Sequence, residues 1–189
     1  MPQDAVERFF ESIPPTFCDP ITGIKPSSEM EITAVLLVKH QLKKINWESV
    51  RVRGAVNEEE LVASHLIDEQ DLSLSEYPLF AKEQHAIDRW GLMTPDLIFM
   101  ARDISRVSFI EAKVDSEFTH GNTPPNGQAS RYLEFLGASG IEDKSLTILC
   151  PEFNYEWYRS RLARASNELG NIVPSYILLW EDLFRCVGD

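Results

Sequence analysis

The sequence predicts a mixed α/β fold, a central mixed sheet flanked by helices, and three observations carry that expectation. DLIFMA (residues 96–101) and VSFIEAKV (residues 107–114) are apolar on both alternating sets of positions and are joined by a polar turn. That is the pattern of a hairpin covered on both sides. SLTILC (residues 145–150) and SYILL (residues 175–179) are further strands, each preceded by a helical stretch, so the sheet begins antiparallel and then crosses over through helices. The composition, 43% hydrophobic and 25% charged over 189 residues, supplies the core of a single domain of the usual roughly 100–200 residues.

Taken in order, residues 1–27 read as a loose N-terminal segment and residues 28–183 as the core. Residues 5–12 can form a short helix. IPPTFCDPITGIKPSS then holds four prolines and a glycine, which exclude continuous helix or central strand. Ser27 and Ser28 can cap a helix over residues 29–45, with Glu29 and Glu31 in or near its first turn. Its Ile32, Val35 and Leu36 face inward, and Lys39, Lys43 and Lys44 crowd its C-terminal end, where cations suit the dipole. A short strand is expected at residues 48–52. Asn57 then caps a second helix over residues 58–70, with Leu61, Val62, His65 and Leu66 at helical spacing. A strand at residues 78–87 precedes the hairpin. After it, HGNTPPNG leads into a helix at residues 128–136, closed by Gly137 and Gly140. A helix at residues 155–169 precedes the last strand, and Trp180 to Leu183 form a structural cap.

Charge and cysteine content narrow the function classes. Thirty acidic residues against 18 basic ones give a net charge of −12, spread along the chain. A protein that holds nucleic acid by electrostatics alone is basic overall. This chain therefore needs a local groove, a metal ion or a partner to act on DNA or RNA. Three cysteines without a CxxC pair, and four scattered histidines, exclude a disulfide scaffold and make no zinc site. No apolar run reaches the roughly 20 residues of a membrane helix, and no secretory signal is read at the N-terminus. The expected setting is cytoplasmic, with no membrane partner.

The chemistry concentrates in residues 94–115. With Asp103 and Ile104 at the hairpin tip, opposed residue numbers sum to about 207. Asp96 then lies opposite Glu111, and both project with Lys113 from the same side and end of the sheet. Two opposed carboxylates repel unless something lies between them. A hard divalent cation relieves that repulsion, binding one or two carboxylates plus water and phosphate oxygens. The Ala112 carbonyl can add a third protein ligand. Lys113 beside the metal would orient the nucleophile or stabilise charge on a scissile phosphate. A lone Glu-x-Lys is commonly a solvated salt bridge. The preceding Pro95-Asp96, the hairpin spacing and the two apolar strands set this one apart.

Pro95-Asp96, then 14 residues, then Glu111-Ala112-Lys113 resembles the PD-(D/E)xK nuclease superfamily, the restriction-endonuclease-like fold. The resemblance covers about residues 29–179 in element order and implies an αβββαβ core. It implies that Asp96 and Glu111 bind Mg²⁺ or Mn²⁺ and that Lys113 assists the nucleophile. Many members carry Gln-x-x-x-Tyr on the following helix, matched here by Gln128 and Tyr132, which fall on one helix face. Gln128 at the helix start can reach the site, and Tyr132 is equally readable as a packed aromatic. Members often place a supporting glutamate on a helix before the sheet, for which Glu31, Glu59 and Glu60 are candidates and, equally, ordinary solvated acids. Arg159, Arg161 and Arg164, or Lys39, Lys43 and Lys44, could track a phosphate backbone, although a solvated helix face is the plainer reading. His120, Asn122 and Thr123 fall in a loop that could line the cleft.

Two functions follow. One is a Mg²⁺-dependent nuclease, a hydrolase acting on phosphodiester bonds, with DNA the first substrate and a protein partner or homodimer compensating the acidic surface. The other is a nucleic-acid-related binding or assembly protein that keeps the fold without turnover.

Overall fold

The hairpin that the sequence marks most strongly lies inside a seven-stranded mixed sheet. The computed structural model describes residues 3–74, 95–115 and 127–188, and five helices pack against the sheet among them. These are α1 (Gln3–Ser12), α2 (Glu29–Gln41), α3 (Gln128–Ala138), α4 (Tyr155–Glu168) and α5 (Trp180–Phe184). The strands are β1 (Arg51–Gly54), β2 (Glu60–Val62), β3 (Leu72–Leu74), β4 (Leu97–Met100), β5 (Arg106–Ala112), β6 (Asp143–Cys150) and β7 (Ser175–Leu179). Their spatial order is β2-β1-β7-β6-β5-β4-β3. β5, β6 and β7 are parallel neighbours, as crossovers through α3 and α4 require, and the other pairs are antiparallel.

Leu97 pairs with Ile110, Ile98 with Phe109 and Phe99 with Ser108, the register expected from a tip at Asp103 and Ile104. Asp103 holds that tip by accepting hydrogen bonds from the Ser105 main chain and hydroxyl. Alternation sends the two strands' side chains into separate cores. Leu97, Phe99, Ile110, Ala112 and Val114 join α1, α2 and α5 on one face. Ile98, Val107 and Phe109 join α3 and α4 on the other. Burying each such side chain contributes about 1.5–3 kcal/mol, so both strands are strongly pinned.

Several expected elements differ. Where the sequence predicts a loose segment, Phe9, Ile13 and Phe17 are buried, and Phe17 packs against Trp180 and Phe184. The prolines break helix but do not prevent apolar burial. The helix expected over residues 29–45 ends at Gln41, because Lys43 turns into the left-handed region at φ 55°. The expected strand at 48–52 runs from Arg51 to Gly54 instead. The helix expected over 58–70 is absent. Asn57 Oδ1 accepts from the Glu59 N–H, Glu58 takes φ 57°, and the chain doubles back so that β2 pairs with β1. A single 3₁₀ turn, Ala63–His65, follows. α3 continues through Gly137 and stops before Gly140, whose φ of 71° suits a left-handed turn. The strand expected at 78–87 lies outside the described residues.

At the end of the sheet remote from Asp96, His40 of α2 is buried between two partners. The Trp47 indole N–H donates to its Nδ1, and its Nε2 contacts the Asp71 carbonyl. Asp71 in turn takes both hydrogen bonds from Arg106 at the start of β5. No helix among the described residues is long and apolar enough to cross a membrane.

Candidate active site

Hydrogen-bonded pairs alternate along an antiparallel ladder. The Ala101 N–H donates to Arg106 O, so Phe99–Ser108 and Leu97–Ile110 are the next bonded pairs of β4 and β5. One step further, β4 has already left the sheet. The Ala112 N–H donates instead to Asp96 Oδ2, at 2.8 Å, and the Asp96 side chain takes over a rung of the ladder. The same carboxylate lines a cleft of about 430 Å³ against α2, with Glu29, Thr33 and Leu37.

Glu111 projects from the last turn of pleat in β5 and is only 2% exposed. Lys113, 6% exposed, donates from Nζ to Glu111 Oε1 at 2.7 Å. Glu111 Oε2 is buried without a hydrogen-bond partner among the described residues. Burial, followed by the neighbouring Asp96 charge, pushes the Glu111 carboxyl up to about 7, against the opposing pull of Lys113. Burial likewise raises Asp96 above the ordinary carboxylate range. Asp96, Glu111 and Lys113 are therefore brought together.

The chain just beyond β5 is fixed on every side. Lys113 N–H donates to Leu149 O, and Trp180 Nε1 donates to Lys113 O. Asn154 Nδ2 donates to Val114 O, and the Val114 N–H donates to Glu29 Oε2 at 2.6 Å. Main-chain groups at a strand end need such partners once buried, and here they come from α2, β6, α5 and the 3₁₀ turn before α4.

The supporting residues sort differently from expectation. Gln128 and Tyr132 do share a face of α3, and Gln128 Nε2 donates to the Tyr132 hydroxyl at 3.0 Å. Gln128 Oε1 is buried with no partner among the described residues. Tyr132 is buried against Phe109, and burial together with the Glu111 charge holds its phenol well above the ordinary value. Glu31 is a cap: its carboxylate accepts from the Ser27 main chain and hydroxyl, which lowers its pKa, while Ser28 Oγ accepts from the Glu31 N–H. Glu60 stands on the outermost strand β2, in an exposed pair with Arg51 at 3.8 Å. Glu59 is beside Asn57 at the same far edge. The acid at the site is Glu29, which the sequence placed only in a first helical turn. Its tie to Val114 is tertiary, 85 residues away in the chain, and no local signal announces it.

The basic helix face is already engaged. Arg159 pairs with Glu58 and Glu156, Arg164 with Glu168, and Arg161 stacks on Trp157. Lys39 is buried. His120, Asn122 and Thr123 lie outside the described residues.

Among the described residues, no three His, Cys, Asp or Glu side chains gather as a metal cluster. The arrangement still fits a hard divalent ion of the kind that takes two carboxylates and a carbonyl and completes its shell with water and phosphate. Two mutually repelling carboxylates, one with a buried oxygen unpartnered among the described residues, form an oxygen donor set that a cation would relieve. No family model, curated protein or solved structure matches the chain.

Proposed function

We propose that this chain is a divalent-metal-dependent nuclease of the PD-(D/E)xK kind, hydrolysing phosphodiester bonds in nucleic acid, with DNA the first substrate to test. The observation that carries the reading is the convergence of Asp96, Glu111 and Lys113 at one strand end, with a buried Glu111 oxygen that has no hydrogen-bond partner among the described residues. A buried charge pair of this cost needs a reason. The order α2, β3, β4, β5, α3, β6 supports the αβββαβ core of that superfamily, with β1 and β2 as an insertion after α2.

Asp96, Glu111 and the Ala112 carbonyl would hold Mg²⁺ or Mn²⁺. The ion would supply an acidified water and charge neutralisation at the phosphate. Asp96 keeps its orientation through the Ala112 N–H, and Glu111 keeps its own through Lys113. The Lys113 ammonium places positive charge beside the scissile group, where it stabilises negative charge built up in the transition state. Tyr132 remains a neutral phenol and serves as a packed support beneath Glu111, not as a base.

The net charge of −12 and the paired arginines of α4 favour a second reading, a non-catalytic binding or assembly protein of the same fold. Incubating the protein with single- and double-stranded DNA and RNA separates them. The nuclease reading expects cleavage with Mg²⁺ or Mn²⁺ and none with chelator. Intact substrates throughout, at low salt and with metal, would favour the second reading.

A further inference from the structure

The three arginines of α4 are not equivalent. Arg159 and Arg164 are ion-paired with Glu58, Glu156 and Glu168. Arg161 is exposed, has no acidic partner among the described residues, and lies with its guanidinium carbon 3.5 Å from the centroid of the Trp157 ring. Stacking uses the flat face of a guanidinium and leaves its rim of N–H donors, the part that matches a phosphate, unused. The fold puts this stack on the side of the site. Glu111 alternates with Ile110 and Ala112, so it projects with Phe109 to the sheet face covered by α3 and α4. α4 starts beside the strand end that carries Lys113, since Asn154, just before its first residue, donates from Nδ2 to Val114 O. Tyr155 meets Arg53 of β1 and Arg159 meets Glu58 of the turn after it, on the flank of α4 turned to the β1–β2 edge. Residues two apart on a helix are about 200° apart around it, so Trp157 and Arg161 occupy the other flank, toward α3 and β5. The buried Tyr158 phenol feels the charges of Glu29 and Asp115 as well as that of Arg161, which keeps the guanidinium within electrostatic range of the chain around the site.

We propose that Arg161, stacked on Trp157, grips a non-scissile backbone phosphate of the substrate strand and so positions that strand over Glu111 and Lys113. The inference rests on the nuclease reading above and adds a substrate contact to it. In a chain of net charge −12, an exposed arginine without a carboxylate partner offers an approaching phosphate two parallel hydrogen bonds with no acid to displace. The stack holds the guanidinium in place beforehand, so less side-chain freedom is lost on contact. Such a contact fixes the register of a strand without reading its bases.

Arg161→Gln removes the charge from an exposed position, and Arg164→Gln removes an ion-paired charge from the same helix as a control. On a nucleic acid that wild-type protein cuts, Arg161→Gln should raise KM about tenfold, the scale of a lost charge-assisted hydrogen bond, and leave kcat unchanged, as loss of a contact made equally before and during the reaction requires. It should also make the logarithmic salt slope of binding shallower by about 1. Arg164→Gln should change neither. Equal shifts in the two variants would reduce the effect to net charge and overturn the inference, as would an unchanged KM in Arg161→Gln, and the nuclease reading survives either result. Wild-type protein that cuts no DNA or RNA overturns both. A second measurement isolates the contact. Oligonucleotides carrying a single neutral methylphosphonate at successive positions are offered to wild type and to Arg161→Gln. At a position away from the cleaved bond, the substitution should raise KM severalfold for wild type and leave that of the variant unmoved. Equal responses of the two proteins at every position would overturn the inference.

Discussion

Glu111 is held where its charge is disfavoured, and that has a measurable consequence for the metal-free protein. Its folded pKa near 7 lies above the ordinary 4.5, so between those values the native state binds more protons than the unfolded state. Stability therefore falls as pH rises from about 4.5 to 7 and stays low above that. At 1.36 kcal/mol per pK unit the cost is about 3 kcal/mol. Asp96→Asn keeps an acceptor for the Ala112 N–H but removes the charge pressing on Glu111. In chelator, that variant should lose less stability between pH 5 and 8 than wild type, by about 1 kcal/mol or more, and it should no longer bind Mn²⁺. Denaturant melts at the two pH values check the first point, and superimposable pH profiles would contradict it. At 6% exposure Lys113 is part of the core, and shortening it leaves Glu111 without its buried cation.

At the scale of elements, α2 separates two neighbouring roles. Ser28 and Glu31 cap it, whereas Glu29 reaches across to Val114. Ser28→Ala should cost about 1 kcal/mol of stability and leave cleavage intact. Glu29→Ala should slow metal-dependent cleavage severalfold and also cost about 1–3 kcal/mol of stability, because it strips the buried Val114 N–H of its partner and releases the segment that carries Lys113. Equal effects of both variants on rate would contradict this division. The hairpin register was legible because the polar turn at Asp103 and two-sided apolar alternation leave one pairing that buries both faces. The role of Glu29 was not legible, since its partner is set by tertiary packing. Residues 58–70 misled for a different reason. Leu61, Val62, His65 and Leu66 fit a helical face, but so does a short strand running into a 3₁₀ turn, and pairing with β1 decided it. Pro14, Pro15 and Pro20 suggested a loose segment, because breaker residues report on backbone regularity and not on burial.

For the whole molecule, a net charge of −12 and an α4 whose Arg159 and Arg164 are held by Glu58, Glu156 and Glu168 oppose the capture of phosphates. Binding to nucleic acid without metal should be weak. Its logarithmic salt slope should be shallower than about −3, against roughly −0.9 per neutralised phosphate for proteins making many such contacts. Fluorescence anisotropy across a salt series checks this, and a slope of about −6 or steeper would contradict it. The central claim is that Asp96, Glu111 and Lys113 form one metal-dependent hydrolytic site. Its most direct test is the Mn²⁺-dependent cleavage rate of wild-type protein beside Lys113→Met, a substitution that keeps buried length and removes the charge together with its hydrogen bond to Glu111. The account predicts a wild-type rate that vanishes in chelator, and a variant that retains its fold and cuts at least about 100-fold more slowly. Equal metal-dependent rates for the two proteins would contradict it.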